Sequence, residues 1–194
     1  MYEYIQGKLV KLTPTYAIIE NSGIGYFINI TLFTYSFLEG KNDGRLYIHQ
    51  AIREDAHILY GFSDSHEREM FRMLISVSGI GANTSRMMLS SLSYNEIGTA
   101  IQRSDVNLLK TIKGIGLKTA QRVVIDLKDK LGKSTAEGEI FIPSKGNTLK
   151  DESLSALIML GFSKTTVEKV IDKILAGDSN ISVEELIKKA LKQL

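Results

Sequence analysis

The sequence predicts a multidomain α+β protein, and three observations predict it. Short β-branched runs fill the first sixty residues, the apolar period becomes helical near Ser63, and a Gly- and Ser-containing break precedes three further helical stretches. With 43% apolar residues in 194, the chain carries enough material for real cores.

The β region comes first. YIQGKLVKL, TYAIIEN, YFINITL, RLYIHQAI and AHILYGF are rich in Ile, Val, Tyr and Phe, and they are separated by Ser22-Gly23-Ile24-Gly25 and Lys41-Asn42-Asp43-Gly44. Five or six strands at roughly ten-residue spacing read as a small sandwich or barrel over residues 1–63.

From Ser63 onward, SDSHEREMFRMLISVS places Phe71, Leu74, Ile75 and Val77 at helical spacing behind an Asp/Ser start signal. Breaks at Gly79 to Gly81, Ser93 to Asn95, Ser104 to Asp105 and Gly114 to Gly116 divide residues 64–133 into five short helices. Residues 134–148, STAEGEIFIPSKGNT, have no sustained period and read as a flexible linker. Beyond them DESLSALIMLGF, SKTTVEKVIDKILAG and ISVEELIKKALKQL open on Asp151, Ser163 and Ser182 as capping residues, which predicts a three-helix bundle over 149–194.

The net charge of +2 is unevenly spread. Residues 63–133 hold eleven Lys/Arg against seven Asp/Glu, whereas each flank is slightly acidic, so a polyanion should bind the middle. No Cys is present, which excludes disulfides and thiolate metal sites. The N-terminus lacks a signal-peptide pattern and no apolar run reaches a membrane span; a soluble cytoplasmic protein is expected.

One motif carries chemistry. SGIGANTSRMML (78–89) aligns with KGIGLKTAQRVV (113–124) at an offset of 35, so Gly79-Ile80-Gly81 repeats as Gly114-Ile115-Gly116. In each copy a helix should end at the first Gly and a new one begin at once, with Ile80 and Ile115 pointing inward as anchors. The amides opening the new helix then lack partners at the positive end of a helix dipole, a place suited to a phosphate oxygen. The second copy adds Lys113, Lys118, Thr119 and Arg122, whereas the first has Asn83 and Arg86, so the second should supply most of the charged grip. Such sites grip backbone phosphates without reading bases.

These hairpins behind a β domain, with Arg53-Glu54-Asp55-Ala56 ahead of Leu59-Tyr60-Gly61-Phe62, Lys128-Asp129 after the second hairpin and LIMLGF (157–162) in the tail, resemble the RuvA family of helix-hairpin-helix proteins. The resemblance spans essentially the whole chain. It implies an OB-type β-barrel, a double helix-hairpin-helix domain on duplex phosphates, and a UBA-like tail docking the RuvB ATPase motor, with Leu157, Leu160, Phe162 and Ile187 as the docking candidates. It further implies a non-enzymatic, cofactor-free homotetramer, or an octamer on DNA. That assembly would hold four-way (Holliday) junctions for branch migration in recombination, DNA repair and the SOS response, with the RuvC resolvase as a further partner.

Two neighbouring carboxylates, Glu54 and Asp55, suit either a solvated turn or an acid-base or metal site, although only His57 stands nearby. The resemblance implies that they form an acidic pin that repels phosphates at the crossover. Hairpins of this kind also serve repair enzymes; here the carboxylates after the second one, Asp126 and Asp129, alternate with Lys128 and Lys130 as a solvated helix face would. His49, His57 and His66 lack metal spacing, and no GxxxxGK[ST] phosphate loop occurs. Tyr2, Tyr4, Tyr16, Tyr26, Tyr47 and Tyr60 read first as strand residues, with base stacking the alternative.

Overall fold

The computed structural model describes residues 2–136, 149–177 and 181–194, and the chain divides into two compact units, residues 1–141 and 142–194. The first unit opens with β1 (Tyr4–Leu12), β2 (Tyr16–Asn21) and β3 (Ile24–Ile30), then α1 (Leu32–Leu38), β4 (Asp43–Ile52) and β5 (His57–Phe62). The strands close into a barrel in the order β1-β2-β3-β5-β4, with β3 and β5 parallel and every other pair antiparallel. This is the five-stranded OB arrangement. A register shift between Leu9 and Lys11 bends β1, which pairs with β2 and β4 at once. Close approach within the barrel demands glycine at position 7, where a Cβ would collide with the carbonyl of Glu20.

Alternation along the strands sends Ile5, Ala17, Ile19, Ile28, Ile30, Leu46 and Ile48 inward. The expected third strand is corrected at its end. YFINITL was expected to be one strand, but β3 stops at Ile30 and α1 begins at Leu32, because the Thr31 side chain accepts the Thr34 amide as an N-cap.

Five helices follow: α2 (Ser65–Ile75), α3 (Ala82–Ser91), α4 (Tyr94–Gln102), α5 (Val106–Lys110) and α6 (Leu117–Ala136). Asp64 caps α2, Ser93 and Glu96 form a capping box on α4, and Asp105 caps α5. Their buried faces share one core with Tyr60 and Phe62 of β5. Barrel and helices are therefore one packed unit, with Phe71 at the seam against the rings of His49, Tyr60 and Phe62. The last helix is not short: α6 has 20 residues and runs to Ala136, into the segment expected as linker. The remainder of that expectation, residues 137–148, lies outside the described residues.

A buried acid also spans the seam. Glu67 of α2 is 3% exposed and accepts hydroxyl hydrogen bonds from Thr31 (2.6 Å) and Thr34 (3.2 Å). Burial pushes its carboxyl up to about 7 against the pull of those hydroxyls. The folded state then holds a proton that the unfolded state releases near the ordinary carboxylate range, so stability falls as pH rises between the two values. Glu67→Gln should therefore raise the melting temperature at pH 8 and change it little at pH 4.5. The ceiling is ~3 kcal/mol, from about 1.4 kcal/mol per pH unit. Equal effects at both pH values in thermal melts would dismiss this account.

The second unit holds α7 (Leu149–Met159), α8 (Lys164–Gly177) and α9 (Val183–Leu191) around Leu157, Val167, Ile171, Ile174, Ile181, Leu186 and Ala190. Ser182 caps α9, and the Ser163 hydroxyl accepts the Thr166 amide at 3.3 Å where α8 starts. Asp151 does not open its helix as expected, since α7 already begins at Leu149. Gly161, at φ +99°, closes the turn after α7, and the Phe162 amide reaches back to the Leu157 carbonyl.

Candidate nucleic-acid interface

The two Gly-Ile-Gly segments have matching geometry along the repeat. Gly79 and Gly114 take φ of +93° and +91°, a conformation that favours glycine. The Ile80 amide bonds the Val77 carbonyl and the Ile115 amide bonds the Ile112 carbonyl, each at 3.0 Å. Both isoleucines are 5% exposed and anchor their turns in the core. The new helices then start with Ser85 bonding Gly81 and Ala120 bonding Gly116, each at 2.9 Å.

What remains is four amides per copy, those of residues 81–84 and 116–119, with no backbone acceptor among the described residues. Gly81 and Gly116 have exposed, open surroundings, and a Cβ at either would touch nothing within 4 Å. Their lack of a side chain leaves room for an approach from outside. The isoleucine amides, by contrast, are spent inside the turns.

The cations divide into two kinds. Lys113 and Lys118 are exposed and make no ion pair or hydrogen bond among the described residues. Arg86 instead donates to the Thr15 carbonyl at 2.9 Å, and Asn29 Oδ1 lies 3.5 Å away, so it ties α3 to the barrel. Arg122 donates to the Ser78 carbonyl at 3.2 Å. Both arginines were expected on phosphates from sequence, and both have a carbonyl partner in the fold. Asn83 is exposed, with its side-chain carbonyl accepting from the Tyr60 hydroxyl at 3.4 Å, and Thr119 is half-buried.

Glu54 and Asp55 form the exposed tip of the β4–β5 hairpin, closed by the Arg53 amide on the Ala56 carbonyl at 2.9 Å. A cleft of about 330 Å³ runs from His57 through Leu59 and Asn29 to Asn83. The base of the acidic hairpin and the start of α3 thus border one depression, a proximity that no sequence spacing signals.

In the second unit Leu157 is corrected as a docking candidate: it is 0% exposed and belongs to the bundle core. Leu160 is 62% exposed, whereas Phe162 and Ile187 are partly buried against that core. Among the described residues no helix is long and apolar enough to cross a membrane.

A closed OB-type barrel packed on paired Gly-Ile-Gly hairpins defines a tandem helix-hairpin-helix protein. Family comparisons match residues 1–61 to the RuvA N terminal domain, 71–129 to the SAM-like helix-hairpin-helix tandem and 148–194 to the RuvA C-terminal domain. Proteins named Holliday junction branch migration complex subunit RuvA from Christiangramia forsetii and Bacteroides thetaiotaomicron are 49% and 50% identical to it, each match covering 100% of both chains. A like-named protein from Flavobacterium psychrophilum is 50% identical over the same full extent. The chain belongs to the RuvA family.

Proposed function

We propose that this protein binds four-way (Holliday) DNA junctions by shape, holds them open as a homotetramer in the cytoplasm, and recruits the RuvB ATPase for branch migration in recombination and repair. The observation that carries the reading is the pair of hairpins, each with four amides that lack a backbone acceptor among the described residues, and a cleft that runs from His57, at the base of the acidic turn, to Asn83 after the first of them. Amides and Lys113 and Lys118 hold duplex phosphates, a grip blind to sequence. Glu54 and Asp55 act as a repulsive pin that parts strands where four arms meet, since like charges in a crowded channel repel strongly. The domains divide the labour as 1–63, 64–133 and 149–194. ATP chemistry belongs to the motor, and the RuvC resolvase acts on the junction so held.

The test compares a four-arm junction with linear duplex of equal length. The native protein should bind the junction far more tightly, and both affinities should fall steeply with salt. Glu54→Gln with Asp55→Asn should keep junction binding, gain duplex binding, and narrow the preference by about tenfold, or about 1.4 kcal/mol. Equal affinity of the native protein for both DNAs would sink the proposal.

Docking of the motor falls to the tail, with Leu160 at its centre and Phe162 and Ile187 contributing their exposed edges. An exposed leucine of this kind suits an apolar partner groove. Leu160→Asp should abolish co-sedimentation with the motor while junction binding is unchanged. Loss of both activities would refute the separation of roles.

A further inference from the structure

Two residues outside the Gly-Ile-Gly turns occupy equivalent places in the repeat. Met87 in the first copy and Arg122 in the second are related by the offset of 35. Each reaches the turn of the other copy. The Met87 methyl lies 3.8 Å from where a Cβ on Gly114 would stand, and Arg122 Nη1 donates to the carbonyl of Ser78, the residue before Gly79. Lys130, further along α6, adds a 3.3 Å hydrogen bond from its ammonium to Ser76 Oγ on the approach to the first turn.

The chemistry differs at the two positions while the geometry is reciprocal. Met87 is a large apolar side chain left 39% exposed, which packing of the core does not explain. Arg122 is a cation on an exposed helix face whose nitrogen is aimed at a neutral backbone carbonyl of the opposite hairpin. A guanidinium held this way is oriented by the protein before any ligand arrives.

We propose that Met87 and Arg122 form a positioning pair that fixes the spacing of the two hairpins, so that both seat on one duplex in a single binding event. Arg122 acts through Ser78 and the first turn rather than as a phosphate ligand. This role deepens the proposed DNA binding and rests on it. Two weak sites held at the right separation act at a high effective concentration; the gain disappears when the spacing changes, although each site survives.

The experiment measures junction and linear duplex affinity over a salt series for the native protein, Arg122→Gln, Met87→Ala and the double variant, with thermal melts of each. Each single variant should weaken binding to both DNAs by about tenfold, part of the ~10²–10⁴ gain that linking two sites can give. The slope of log affinity against log salt should stay unchanged, because every phosphate neutralised by the native protein is still neutralised. The double variant should bind no worse than the weaker single one, since both changes break one coupling. Melting temperatures should stay near the native value.

A slope that becomes shallower by ~0.9 in Arg122→Gln, the amount for one phosphate, would make this arginine a phosphate ligand and overturn the proposal. So would native-like binding by Met87→Ala, or weaker binding that appears only where the variant is partly unfolded. If the native protein fails to prefer the junction, the proposed function falls. The coupling is then still judged, by the same criteria, on linear duplex.

Discussion

Phe71→Ala is expected to lower the unfolding free energy by about 3–5 kcal/mol, the range for removing a fully buried aromatic ring. Phe71 is 0% exposed, and its ring lies 4.9 Å from Phe62, 5.2 Å from Tyr60 and 5.2 Å from His49. Its three neighbours belong to the barrel and Phe71 itself to α2, so the deletion opens a cavity at the seam that joins them. Neither side can collapse into the space without disturbing its own hydrogen-bond ladder. Urea titration followed by circular dichroism should show the lowered midpoint. A change below about 1 kcal/mol would mean that the seam repacks and that Phe71 does not join the two parts.

Removing both exposed lysines of the second hairpin, Lys113→Ala with Lys118→Ala, should weaken junction and duplex binding uniformly across sequences. The salt slope should drop by about 1 for each phosphate that is no longer neutralised. Stability should be unaffected, because neither ammonium pairs with another group among the described residues. The decisive measurement is binding at several salt concentrations by fluorescence anisotropy. An unchanged slope would show that these ammonium groups do not meet phosphate. Together with the Arg122 variants, the result separates cations that bind DNA from cations that shape the site.

Much of this architecture is legible along the chain. The period-2 runs mark the strands; Asp64, Ser93, Asp105 and Ser182 mark helix starts as capping residues must, and the glycines at 79 and 114 mark turns that need positive φ. These signals are local, set by sterics and by hydrogen bonds within a few residues. The internal repeat is equally visible, since its two copies must satisfy the same local geometry. Where local signals conflict, a linear reading fails: Thr31 continues the run of β3 and simultaneously caps α1, and the cap prevails.

Other features depend on which surfaces meet through space. Leu157 and Leu160 sit close together in sequence, yet one is core and the other exposed, a choice made by the packing of α8 and α9. Glu67 is buried because α1, remote from it in sequence, covers it.

Strands, capped helices and the paired Gly-Ile-Gly turns are thus encoded residue by residue, because they follow from backbone sterics and short-range hydrogen bonds. Packing alone settles that Arg86 and Arg122 face carbonyls while Lys113 and Lys118 face solvent, and that Met87 meets the turn at Gly114. A side chain's partner is set by the distance between elements remote in sequence, and no local pattern encodes that distance.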